Sequence, residues 1–130
     1  MFDHLSVGVF DLTQSLSFYD AALKPLGITR MFAMSDRGIA AYVGPDQISF
    51  WLYAKDAEQQ SLGEFPSPPR FHLAFRAADR AAVDAFYTAA LSQGGTDEGA
   101  PGIRAHYHPN YYAAYVRDPS GYKIEAVCQK

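Results

Sequence analysis

His4 and His72 stand at the same place in two copies of one segment. A shift of 68 positions lays residues 4–27 over residues 72–95 without a gap, and 9 of those 24 pairs are identical, His4/His72, Asp11/Asp79 and Gly27/Gly95 among them. Average residue usage would give about one or two identities by accident. Glu125 is a third candidate, an acid inside the largely apolar strand of residues 122–127, Tyr-Lys-Ile-Glu-Ala-Val. Burying an unpaired carboxylate is expensive, and a metal ion is one way to offset that cost. Two imidazoles and one carboxylate leave coordination positions open, as in catalytic zinc and non-haem iron(II) sites. Singly, each residue has a plainer reading: a strand histidine is usually a hydrogen-bonded core or surface residue, and a strand glutamate usually faces solvent. The repeat pairs the histidines, and that pairing makes a site out of them.

The symmetry stops at the acid. Ala40-Ala41-Tyr42-Val43 recurs as Ala113-Ala114-Tyr115-Val116, at an offset of 73. Ile124 then lies eight positions after Val116, and Ile48 five after Val43. A first turn shorter by three residues makes Ser49 the counterpart of Glu125. Serine is a poor metal ligand and a poor base at neutral pH. Trp51 and Tyr53 alternate with Ser49 on one face and are expected to line a pocket or fill the core. His106 and His108 share a face of an expected strand, near Tyr107, Tyr111 and Tyr112. His106 and His108 are candidates for substrate contact, with a surface hairpin as the plainer alternative. Cys128 reads as a small buried hydrophobe.

The elements that must position these residues follow from periodicity. Each copy opens with a strand, over residues 5–10 and 71–77. Asp11 and Asp79 fall where helix N-caps belong, and Gln14 three residues on resembles half of a capping box. Phe18, Tyr19, Ala22 and Leu23 match Phe86, Tyr87, Ala90 and Leu91 on an apolar helical stripe. Gly27 and Gly94-Gly95 end the helices. Further strands are expected over residues 29–34, 39–43 and 47–53 in the first copy. In the second they are expected over 105–108, 112–117 and 123–128, after a flexible Gly/Pro-rich stretch at 94–102. Each copy is therefore βαβββ, and the fold class α+β. Residues 1–55 and 71–130 form two modules of a single domain (residues 1–130), joined by an extended crossing over 56–70 that contains Pro66, Pro68 and Pro69.

Composition narrows the function classes. With 130 residues, 48% hydrophobic and 19% charged, the chain is long enough for one core. A net charge of −3 without a basic cluster gives no nucleic-acid footprint. No apolar run nears the roughly 20 residues of a membrane span, and the first residues lack a secretion-signal pattern. One cysteine excludes an intrachain disulfide. The expectation is a cytoplasmic protein with a small-molecule substrate and neither nucleic-acid nor membrane partners.

The His-Leu-Ser-Val-Gly-Val-Phe-Asp opening, the Phe-His-Leu-Ala-Phe of residues 71–75 and the closing Asp-Pro-Ser-Gly-Tyr-Lys-Ile-Glu of residues 118–125 resemble the vicinal oxygen chelate superfamily. That group includes glyoxalase I, extradiol dioxygenases, fosfomycin-resistance thiol transferases and bleomycin-binding proteins. The resemblance implies paired βαβββ modules curling around a cleft and a divalent metal (Zn, Fe, Ni or Mn) on His4, His72 and Glu125. Glu125 would also be catalytic, with Ser49, Trp51, His106, His108 and Tyr112 near the substrate. It further implies a homodimer, with modules pairing within or across chains. A glyoxalase I would carry a second glutamate in the first module. Its absence shifts the expectation toward dioxygenase, thiol transferase or other lyase chemistry on an oxygen-chelating substrate. The alternative is a metal-free protein that sequesters a drug, as bleomycin-binding members do.

Overall fold

A computed structural model describes residues 1–55 and 70–130. The expected crossing at 56–70 lies outside the described residues except for Arg70. The first module runs β1 (His4–Val9), α1 (Leu12–Leu23), β2 (Thr29–Met34), β3 (Ile39–Val43) and β4 (Ser49–Ala54). The second runs β5 (Leu73–Arg76), α2 (Arg80–Ser92), β6 (Thr96–Ile103), β7 (Tyr112–Arg117) and β8 (Lys123–Cys128). Each module forms a four-stranded mixed sheet, ordered β1-β4-β3-β2 and β5-β8-β7-β6. The outer strand of each, β1 or β5, runs parallel to its neighbour, and the remaining pairs are antiparallel. The expected α+β class and paired βαβββ units are what the chain adopts.

The helices begin where the aspartates place them. The Asp11 carboxylate accepts from the Gln14 amide at 2.9 Å, and that of Asp79 from the Ala82 amide at 2.8 Å. Each bond satisfies an orphan donor of the first turn. A single 3-10 turn, Lys24–Leu26, follows α1, and Gly27 closes it in the left-handed region. The buried stripe of α1 (Leu12, Ser15, Phe18, Tyr19, Ala22, Leu23) and that of α2 (Val83, Phe86, Ala90) meet in one core with the inward faces of both sheets. Phe50 of β4 and Phe75 of β5 lie edge to face in that core, ring centres 5.6 Å apart.

A polar junction locks the modules together. The buried Tyr19 hydroxyl of α1 donates to Asp118 at 2.6 Å, in the turn between β7 and β8. Asp118 also accepts from the Ser120 and Tyr122 amides. Burial raises Asp118 above the ordinary carboxylate range, although those donors pull the other way. Burial, then the adjacent Asp118, raise Tyr19 as well.

One expected element is displaced. Residues 105–107 are turn and 108 is irregular, whereas the Gly/Pro-rich stretch forms strand β6. Pairing with β7 supplies the order that local composition lacks. Irregularities at Gly99 and Gly102 absorb the extra residues, and the strand lies at the sheet edge, where Pro101 is tolerated. Among the described residues no helix is long and apolar enough to cross a membrane.

Candidate metal centre

Strand alternation sends every second residue of the sheets away from the helices. In the first module these outward residues include His4, Ser6, Ser49, Trp51 and Tyr53; in the second they include Ala74, Arg76, Tyr115, Glu125 and Val127. Glu125 is 1% exposed although it faces away from the core. Its cover is built from polar groups. His72 Nε2 stands 2.8 Å from Oε2, and the Tyr111 hydroxyl donates to Oε1 at 2.6 Å. Tyr115, paired with Glu125 across β7 and β8, lies beside it. Burial, reinforced by the neighbouring carboxylate, raises Tyr111, and the same causes push Tyr115 up to about 12. Both phenols therefore stay protonated as donors at neutral pH.

The pair has the chemistry of a metal site's edge. Neighbouring ligands with bonds of about 2.1 Å stand roughly 3.0–3.4 Å apart, so the imidazole nitrogen and carboxylate oxygen need open only slightly to flank an ion. The 2.8 Å separation is that of a hydrogen bond, in which Nε2 is the donor to the carboxylate oxygen when the imidazole carries its hydrogen there. The third expected donor is elsewhere. His4, on the first sheet, has Nδ1 2.6 Å from Asp3 and a side chain more than half exposed. Among the described residues no three His, Cys, Asp or Glu side chains gather closely enough to hold an ion. The donors of one chain thus fit half of a site, and the expected triad does not close among the described residues of the chain.

The register corrects the expected counterpart of Glu125. Leu5 pairs with Phe50 as Leu73 pairs with Ile124. Position 51 is therefore equivalent to 125, and Trp51, not Ser49, occupies the place of the acid. The Ala-Ala-Tyr-Val repeat misled by one residue and the match of Ile48 with Ile124 by two, since both turns have the same length in the register. Tyr42 faces the core and Tyr115 faces out, and a single-residue slip moves side chains to the opposite face. Ser49 lies opposite His4 and accepts from the Trp51 indole at 2.9 Å. Trp51 stacks with Tyr53 and meets Phe32 edge-on, so this face presents an aromatic wall.

The other expected substrate contacts sit less simply. His106 and His108 occupy the exposed loop between β6 and β7 and share no strand face. His106 packs on Tyr107, ring centres 4.1 Å apart, and His108 Nδ1 accepts from the Asn110 amide. Tyr112 turns inward and donates to Asp84 of α2 at 2.7 Å. The candidate tyrosine that sequence reasoning missed is Tyr111, one position earlier. Alternation from Glu125 through Tyr115 and Ala113 was the signal that could have found it.

The paired modules agree with known proteins. The family model described as the glyoxalase/bleomycin resistance protein/dioxygenase superfamily matches residues 1–126. The chain belongs to that superfamily. This glyoxalase-like protein is 35% identical to a glyoxalase/bleomycin resistance protein from Albidiferax ferrireducens T118, covering 98% of this chain and 97% of that one with a TM-score of 0.78. A family enzyme from Burkholderia phytofirmans PsJN shares the fold at 20% identity, 98% coverage of both chains and a TM-score of 0.71. The fosfomycin resistance protein FosX of Listeria monocytogenes shares it at 12% identity, 100% and 90% coverage and a TM-score of 0.71. That structure is of a glutamate-to-glutamine mutant complexed with Mn(II) and 1S,2S-dihydroxypropylphosphonic acid. No protein of curated function matches the chain.

Proposed function

We propose that this glyoxalase-like protein is a divalent-metal-dependent enzyme acting on a small oxygen-chelating substrate. The observation that carries the reading is the approach of His72 Nε2 to the buried Glu125 Oε2, 2.8 Å apart on the outward face of the second sheet. His72 and Glu125 would hold the ion, and His4 of a second copy would supply the third donor, which makes the working unit a homodimer. A metal bound there supplies Lewis acidity to a chelating oxygen. Oε1 of Glu125 is directed toward the Tyr111 hydroxyl, not toward His72, so it is the oxygen placed to take a substrate proton. Tyr111 orients the carboxylate for that role. With Trp51 in place of a second acid, Glu125 is the proton acceptor of the reading, which disfavours isomerisation by two carboxylates.

A second reading rests on the aromatic wall of Phe32, Trp51 and Tyr53. Such a surface suits stacking on a flat drug in a metal-free binding protein. Metal titration of chelator-treated protein separates the two. About one equivalent of Mn, Fe, Ni or Zn per chain is expected, with uptake lost in His72→Ala and Glu125→Gln variants that keep their circular dichroism. Uptake below about a tenth of an equivalent overturns the enzyme reading and leaves the binding one.

A further inference from the structure

A cavity of about 440 Å³ is lined by Ala74, Arg76, Ala77, Val127, Gln129 and Lys130, and Ala74 is the cross-strand partner of Glu125. Its volume lies within the roughly 300–1,000 Å³ of small-molecule sites. The cavity continues the candidate site along the same strands. Ala74 pairs with Glu125 and Arg76 with Val127, so the Arg76 backbone lies two residues, roughly 7 Å, further along the outward face. Ala74, between them on that face, is exposed and has no side chain beyond its methyl.

The charges of this face are one-sided. Arg76 is exposed and makes no ion pair among the described residues, and Lys130 lines the same cavity. Arg104 and Lys123 flank the Tyr115 ring at 5.5 and 4.8 Å from its centre. Arg117 is taken by Glu98. The acid of the face, Glu125, is already engaged by His72 and Tyr111. Among the described residues, neither Arg76 nor Lys130 makes an ion pair.

We propose that Arg76, with Lys130, forms an anion subsite, so that the ligand engaged by His72 and Glu125 is a small organic acid whose anionic tail lies along β5 in this cavity. The planar guanidinium presents paired donors that match a carboxylate or a phosphonate, and the small Ala74 spaces that tail from the oxygens at the other end. This deepens the reading of the His72–Glu125 centre and rests on it.

The subsite can be tested apart from the metal. Chelator-treated protein is titrated with glutarate and with its neutral counterpart glutaramide, followed by amide NMR shifts. Glutarate is expected to move the Arg76, Ala77, Val127 and Gln129 signals and to bind at least about tenfold more tightly than glutaramide. Arg76→Gln combined with Lys130→Gln should erase that preference, and both positions are exposed, so folding is spared. Ala74→Leu, which keeps both cations and fills the space, should weaken glutarate by a similar factor. Equal binding of the two probes, or a preference that survives the double substitution, overturns the subsite. Metal uptake by the same wild-type sample judges the metal reading independently.

Discussion

At the residue scale the least expected participant is Tyr111. Its hydroxyl is the partner of Glu125 Oε1, and the carboxylate sits under cover. Tyr111→Phe keeps the ring and its packing on Tyr107 but strands one oxygen of a buried carboxylate. The expected loss is about 1–3 kcal/mol in urea unfolding of the metal-free protein. If Tyr111 also orients the carboxylate, the same variant will bind metal with altered affinity, whereas Tyr107→Phe will not. A Tyr111→Phe protein as stable as wild type would show that Oε1 finds another partner. The sequence offered His72 and Glu125 plainly, since a polar residue in an apolar strand is conspicuous. Tyr111 was hidden because its position depends on a loop whose turns are set by the bonds of Arg104 with Tyr111 and of His108 with Tyr111. Trp51 was hidden behind a similarity of letters, as the offset of 73 matched residues that the sheets place on opposite faces.

At the scale of elements, the repeat conceals two different uses of glycine. Gly27 and Gly95 align, yet Gly27 has φ +74° and a Cβ there would only touch Pro45 Cγ, at an ordinary 3.4 Å. In the second module the left-handed residue is Gly94, at φ +88°. Gly95 is required for space. A Cβ there would stand 2.7 Å from the Ala90 carbonyl oxygen and 2.8 Å from the Phe18 ring, where the end of α2 presses on α1. Gly95→Ala should therefore force the helices apart and cost about 1–3 kcal/mol, read from the thermal or urea midpoint. A neutral Gly95→Ala would mean that the helix contact yields freely. The helices themselves were legible down to their caps, because a 3.6-residue stripe behind an aspartate is a local signal. Strand β6 was not, because an edge strand built on Gly99, Pro101 and Gly102 owes its extension to β7 and not to its own residues.

At the scale of the whole molecule, the two sheets close one core with their inward faces. The outward faces carry His4 on one and His72 and Glu125 on the other, and Tyr111 covers part of the second. A site completed across two chains has a consequence that a site within one chain cannot imitate. The His4→Ala and Glu125→Gln homodimers should each lose metal uptake. In the mixed dimer, the His4→Ala chain still provides His72 and Glu125, while the Glu125→Gln chain still provides His4. One of the two sites is then intact. Refolding an equimolar mixture distributes chains at random, so about half of the dimers are mixed and about a quarter of the wild-type metal capacity returns. Titration of the two variants before and after co-refolding reads this directly. Recovery near a quarter supports donation by a second copy. No recovery, with both variants still dimeric, would mean that His4 serves its own chain, through a rearrangement that brings the two outward faces of one molecule together. Retention of metal by His4→Ala alone would remove that histidine from the site and leave the half-site of His72 and Glu125 to find its third donor elsewhere.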